Sequence, residues 1–161
     1  MILATHALAG AVIGKNFHHP GIILVLSLTI HFIMDSFRHG EYFDSRVATI
    51  KDTWWKIALD LSIGFFFIFS AIYFKNFDSY QIRNILLGAF FSMLPDFLTV
   101  LFWQFKWKWL AKIKDFHSWA HCYNRFPKYS SERQWTLRNA RNDILFSLLA
   151  IFLLFIWKLN F

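Results

Sequence analysis

The sequence predicts an all-α fold: a polytopic membrane helical bundle of four to five transmembrane helices, with an amphipathic segment on the cytoplasmic surface. Three observations predict it. Apolar residues make up 57% of the 161 residues, above the roughly 45–50% of soluble domains. Twenty-one Phe and eight Trp accompany only three Pro. The charged residues, 17% of the chain, cluster between long apolar runs instead of being scattered along them. A soluble helical protein needs a polar face on each surface helix, and several of these runs lack one. The length fits one domain over residues 1–161. The opening "MILATHALAGAVIGK" has no basic n-region and is not expected to be a signal peptide. A single cysteine, Cys122, excludes an internal disulfide framework.

Five apolar helices follow in order. The first covers about residues 2–14 and is short for a span. The second, about 20–38, is opened by Pro20, and a polar connection over 39–53 follows it. The third covers about 54–74 and the fourth about 81–104. A basic and aromatic segment, 105–141, leads to the fifth, about 142–159. A span takes about 17–25 apolar residues, so the second to fifth qualify. The first qualifies if it is tilted or packed inside the bundle.

If the first helix crosses, the N-terminus, the 39–53 connection and the 105–141 segment share one side. Of the seventeen Lys and Arg, thirteen then fall on that side, and only Lys15, Lys75, Arg83 and Lys158 on the other. The positive-inside rule places the basic side in the cytoplasm. Trp54, Trp55, Trp103, Trp107, Trp109 and Trp119 gather near the same boundary, as an aromatic belt does. Within 105–141, "FKWKWLAKIKDF" interleaves aromatics with lysines and reads as an amphipathic surface helix. Lys106, Lys108, Lys112 and Lys114 would face anionic lipid headgroups. Beside a spanning helix, that reading is preferred to nucleic-acid binding, and no nucleic-acid partner is expected. The partners expected are the bilayer and its anionic headgroups; oligomeric state is not legible.

An ionisable residue inside a spanning helix costs about 2.5–3.5 kcal/mol on insertion scales and is a functional candidate. The candidates are His6, His31, Asp35, His39, Asp60, Asp96, His117 and His121. All fall at the cytoplasmic ends of the predicted helices, whereas His18 and His19 sit at the far turn. His31, Asp35 and His39 are four residues apart, which on a helix forms one stripe. His117 and His121 repeat the spacing. Each residue also has a plain structural reading. His6 can serve an interface, and His39 can end its helix before Gly40. Asp60 can pair with a nearby base, and Asp96 after Pro95 can contact backbone. Their collection at one end favours a common site.

Imidazole and carboxylate together suit a divalent metal. Eight candidate ligands exceed the four of one structural zinc, so two ions are expected, as Zn2+ with Mn2+ or Fe2+ as alternatives. Asp35, central in its stripe, is placed to bridge. The catalytic candidates are Asp35, Asp96 and Asp60. Arg125 joins the four lysines as a candidate for holding an anionic substrate.

The stretches "THALAGAVIG", "HFIMDSFRH", "LALD", "MLPDFL" and "FHSWAH" resemble small bacterial membrane-bound metal-dependent hydrolases of the YdjM-like kind. More distantly, they are similar to zinc-dependent phospholipase C. The resemblance implies metal ligation by His6, His31, Asp35, Asp96, His117 and His121. Two departures stand out. Ser118-Trp119 occupies the place of an Arg-Gly in the YdjM-like pattern. His117-x-x-x-His121 stands where zinc phospholipases carry His-x-x-x-Glu. The function expected is a membrane-embedded metal-dependent hydrolase, cleaving a lipid phosphoester at the cytoplasmic face with metal-activated water. The alternatives are a divalent metal transporter and a non-catalytic, metal-stabilised membrane scaffold.

Overall fold

A computed structural model describes residues 2–40, 50–121 and 135–156. Six α-helices, and no strand among the described residues, make up the fold. They are α1 (Leu3–Asn16), α2 (Pro20–Ser36), α3 (Ile50–Lys75), α4 (Ser79–Phe105), α5 (Ala111–Ala120) and α6 (Arg141–Phe155). A 3-10 turn, Lys108–Leu110, precedes α5. Ser45, Arg46, Cys122, Arg125, Lys128, Arg133 and Lys158 lie outside the described residues.

Local chemistry sets most helix ends. Pro20 opens α2, where its missing N–H costs nothing, and His19 Nδ1 accepts the Gly21 amide at 3.1 Å. Asp78 and Gln81 form a reciprocal capping box at the start of α4, with Gln81 N donating to Asp78 at 2.8 Å. Asn76 after α3 and Lys106 after α4 take left-handed backbone, φ 48° and 56°, which ends each helix. Two expected boundaries move. The second helix stops at Ser36, because Phe37 turns extended (φ −80°, ψ 156°), so His39 lies beyond the helix that was to carry it. Among the described residues of the expected surface segment, the α-helix that follows α4 is the ten-residue α5.

The shortest of the first four helices, α1, is the central one. It packs against α2, α3, α4 and α6. Its closest neighbour is α4. A Cβ on Gly10 or Gly88 would collide with the other's backbone carbonyl, and one on Gly14 would meet the Asn84 carbonyl. Small residues therefore let the two backbones touch, as at close helix crossings in membranes. Around the crossing, Leu8, Ala11, Ile68, Ile85, Ala89 and Leu154 form the core.

A buried helix must still satisfy its free end groups. At the start of α1, Asp60 accepts the amides of Leu3 (2.8 Å) and Ala4 (3.2 Å). Asp143 accepts that of Ile2 (3.0 Å). Beyond its C-terminus, Asn84 donates to the Phe17 and His18 carbonyls, both at 3.3 Å. Lys15 reaches the carbonyls of Leu153 and Leu154 at the end of α6 (2.8 and 2.9 Å). Neighbouring helices thus cap α1 at both ends.

The outer faces are apolar. Val25 on α2, Phe66 and Tyr73 on α3 and Leu148 on α6 are each more than half exposed. Residues Asp52–Lys75 of α3 and Ser79–Phe105 of α4 are long and apolar enough to cross a membrane, by length and composition. The shorter α2 is also apolar.

The glycine crossing makes a prediction. Gly88→Ala is expected to destabilise the bundle by about 1–3 kcal/mol, the usual effect of overpacking, because the obstacle is backbone. Thermal unfolding in detergent should show a lowered midpoint, while Gly21→Ala, which meets only the His19 side chain, should leave it close to wild type.

Candidate metal centre

Seven of the eight candidate ligands meet at one end of the bundle, in four overlapping groups able to hold a metal ion. His6 comes from α1 and His31 and Asp35 from the last turns of α2. Asp96 comes from the second half of α4, His117 from α5, and His39 and His121 from just beyond α2 and α5. The antiparallel course of α1, α2 and α4 places the start of the first beside the ends of the other two.

Asp35 is the hub. Its Oδ2 lies 3.1 Å from His31 Nε2, 3.1 Å from His117 Nε2 and 3.3 Å from His121 Nε2. Its Oδ1 faces His6 Nε2 at 3.2 Å. Asp35, His31 and His6 are fully buried. The His6 and His31 rings stack with centroids 4.1 Å apart.

Hydrogen bonds on the far sides of the rings fix where the protons are. His31 Nδ1 stands 2.7 Å from the Ser92 carbonyl, which can only accept, so Nδ1 carries the proton. The Thr99 hydroxyl gives its hydrogen to the Pro95 carbonyl (2.9 Å) and accepts from His117 Nδ1 (2.8 Å). In their neutral form the two imidazoles point Nε2 lone pairs at each other, 3.2 Å apart, and at a carboxylate oxygen. In that form no proton lies between them to make these contacts attractive. Lone pairs so opposed suit a shared cation. Ligands about 2.0–2.1 Å from a tetrahedral zinc ion stand about 3.3 Å from one another. The His31–Asp35–His117 triangle has sides of 3.1, 3.1 and 3.2 Å, so this donor set fits such an ion.

A second set lies beside the first. Asp96 Oδ1 is 3.4 Å from His117 Nε2, and Asp96 Oδ2 is 3.9 Å from His6 Nε2. That Oδ2 and His6 Nδ1 are buried with no hydrogen-bond partner among the described residues. Asp96 is also the more open member, its side chain 20% exposed against 0% for Asp35. At the edge, His39 Nε2 and His121 Nδ1 are 3.0 Å apart. Burial disfavours a charged ring at both: the His39 pKa falls to about 3, and that of His121 lies well below its ordinary value. Both are neutral near pH 7, the protonation state a ligand or an acceptor needs.

Asp60 is the exception. Both its oxygens are held by the Leu3 and Ala4 amides at the start of α1, so it caps a helix and is absent from the ligand groups found among the described residues. Its spacing from the helix end matched that of the true cluster members, but α1 intervenes. The four lysines lie on the outer side. Lys106 stands over the Phe102 and Trp103 rings, and Lys114 pairs with Asp115. Lys108 and Lys112 are exposed. Arg125 lies outside the described residues.

Sequence reasoning missed Thr99 and the Ser92 carbonyl, which orient the two central imidazoles. Thr99 follows Pro95 by four residues and Asp96 by three, so it shares their face of α4; that spacing was the available signal. Outer hydrogen bonds of this kind typically change metal affinity 10–100-fold. Thr99→Val is therefore expected to weaken Zn2+ binding by about that factor with helicity unchanged. Asp60→Asn should leave Zn2+ affinity at the wild-type value. Competition with a chromophoric chelator measures both.

No protein-family model, no curated protein and no solved structure matches the chain, so its functional reading rests on this cluster.

Proposed function

We propose that the protein is a membrane-embedded, metal-dependent hydrolase acting on a phosphoester of a lipid, in line with its resemblance to YdjM-like hydrolases. The observation that carries this reading is the convergence of His31 Nε2, His117 Nε2 and His121 Nε2 on one oxygen of Asp35. A buried carboxylate and several neutral imidazoles are costly to collect without a cation. Two ions are proposed. His31, His117, His121 and Asp35 Oδ2 would hold one. His6, Asp96 and Asp35 Oδ1 would hold the other, with Asp35 as the bridge. Divalent ions bound there would supply Lewis acidity toward a phosphoryl oxygen and an activated water.

The chain's own residues set the conditions for that chemistry. Asp35 contributes a negative charge on both sides. Ser92 and Thr99 hold two imidazoles in the ligating tautomer. Asp96, the more exposed carboxylate, stands where a substrate would enter. Its location after Pro95 fits a proton-accepting group near the attacking water, and its Oδ2 is not committed to a hydrogen bond among the described residues.

Lipid as substrate follows from the surroundings. The reading places four or five helices in the bilayer, counting α2 and α6 with α3 and α4, and α1 as the shielded central helix. Their exposed apolar faces suit hydrocarbon better than water. Just before α5, which carries His117, the Phe105, Trp107 and Trp109 rings stack at 4.9 and 5.8 Å among Lys106, Lys108 and Lys112. Aromatic rings with interleaved lysines suit an interface with anionic headgroups. The positive-inside count puts that interface in the cytoplasm.

Elemental analysis of purified protein should find about two transition-metal ions per chain, since the ligands outnumber one tetrahedral shell. Asp35→Asn keeps volume and removes charge, and it should abolish both metal binding and hydrolysis of phospholipids or lipid phosphates in mixed micelles. His18→Ala, at the far end, should leave both intact. Full metal occupancy and turnover in Asp35→Asn would sink the proposal. In a Cys122→Ser background, cysteines placed at Ser79 and Lys112 should label from opposite sides of the membrane, the second from the cytoplasm.

A further inference from the structure

Four histidines face the Asp35 side of the cluster closely enough to be counted as ligands with His6, but their ring protons divide them. His39 Nδ1 stands 2.8 Å from the Phe37 carbonyl. A carbonyl only accepts, so Nδ1 holds the proton and Nε2 holds a lone pair. That lone pair faces His121 Nδ1 at 3.0 Å. Two facing lone pairs would repel, whereas a proton on His121 Nδ1 makes the contact a hydrogen bond. The opposite atom, His121 Nε2, then carries the lone pair. It is this atom that lies 3.3 Å from Asp35 Oδ2 and 3.1 Å from His117 Nε2. The protons run in one direction: His121 Nδ1–H to His39 Nε2, and His39 Nδ1–H to the Phe37 carbonyl.

We infer that His39 is not a metal ligand but a positioning residue, which holds His121 in the tautomer that ligates through Nε2. The inference rests on the metal-centre reading above and assigns roles within it. It differs from the stripe expected of His31, Asp35 and His39, in which all three would bind metal alike.

The backbone around His39 is built to hold such a relay. The helix has ended, so no helical hydrogen bonds fix residues 38–40. The turn into α6 does so instead. Asn142 Nδ2 donates to the Arg38 carbonyl at 2.6 Å, and Arg38 Nε donates to Asn139 Oδ1 at 2.8 Å. The neighbouring Asp143 carboxylate accepts the Ile2 amide at 3.0 Å. Asn139 and Asp143 are buried, as is His39. Two polar residues of one short segment, Asn139 and Asn142, thus grip Arg38, the residue before His39. Neither stood out in the sequence, and together they give that segment a part in the centre without touching the ligands.

The roles separate by experiment on the full chain in detergent, loaded with Zn2+ or Co2+ alone. His39→Ala should keep the wild-type number of ions per chain and weaken their binding about 10–100-fold, the range for loss of an outer-shell partner. His39→Gln should recover most of the affinity, because a side-chain carbonyl can accept from His121 Nδ1–H. Its Co2+ visible absorption should match wild type in position and intensity, which reports an unchanged ligand set. His121→Ala, by contrast, should change that spectrum. A lower ion count in His39→Ala, no recovery in His39→Gln, or a changed Co2+ spectrum in His39→Gln would each overturn the relay and make His39 a ligand or a mere space-filler. Those results would leave the hydrolase reading standing. Wild-type protein that binds no ion would overturn both.

Discussion

The carboxylate of Asp35 is the constraint on which the open end of the bundle depends. It is fully buried, and a lone buried charge in a low-dielectric interior costs several kcal/mol even after relaxation. The surrounding helices gather His6, His31, His117 and His121 around it, drawn from three helices and the residue following α5, a donor set that would hold a neutralising cation. Three of them are brought there by different devices. His31 sits one turn before Asp35 on α2. His6 is carried by α1 through the glycine crossing with α4. His117 is fixed by Thr99. Moving any one helix by a turn, about 5.4 Å, would break the set.

Seen from Asp35, the position of α1 is less odd than its length suggests. Fourteen residues give about 21 Å of helix at 1.5 Å per residue, short of a hydrocarbon core of about 30 Å. As the central helix it does not need to meet lipid along its length. Its end groups are satisfied by Asp60, Asp143 and Asn84 instead of by water. The crossing on α4 holds its register against Ser92, whose carbonyl orients His31. Packing and site are therefore one arrangement: the residues that let α1 and α4 touch also bring His6 level with the His31 ring.

Much of this was legible in the sequence. The order of helices, the capping of α2 by Pro20 and the gathering of His and Asp at one end follow from hydropathy runs and four-residue spacings. One candidate fell outside the cluster and one helix end moved, for the same reason. Asp60 has the depth of a cluster residue, but depth along a helix does not say which neighbour it faces, and it faces the amides of α1. His39 continues the spacing of His31 and Asp35, but the helix stops at Ser36, so it reaches the cluster by a turn of the chain. Spacing arguments assume that the element continues and that the face is shared. Asn142 and Asp143 were illegible because their partners are backbone groups of residues more than a hundred positions away, and Asn139 because its partner is the equally distant Arg38 side chain. Hydrogen bonds to backbone leave no residue-type pattern.

The cluster's place at one end of the bundle also bears on what it can act upon. A pathway across a membrane needs polar groups at successive depths. Here the polar groups near the other end, the buried Asn84 and the half-buried Lys15, bond to the carbonyls that end α1 and α6. Between the two ends, the α1–α4 contact is glycine against backbone, closed to an ion or a water chain. The hydrolytic centre proposed above needs the reverse: a dry floor, a polar mouth, and one wall that a substrate can approach. The floor is the α1–α4 crossing, and the mouth is Asp96 and His121, the partly exposed members of the set. The wall is α5, with its His117 face turned inward and its aromatic and lysine face turned out. A lipid headgroup approaching along that outer face would meet Asp96 before it met Asp35. On the proposed reading that order separates the two aspartates by burial: Asp35, fully buried, is the hub around which the imidazoles gather, and Asp96, 20% exposed, lies nearer the approaching headgroup.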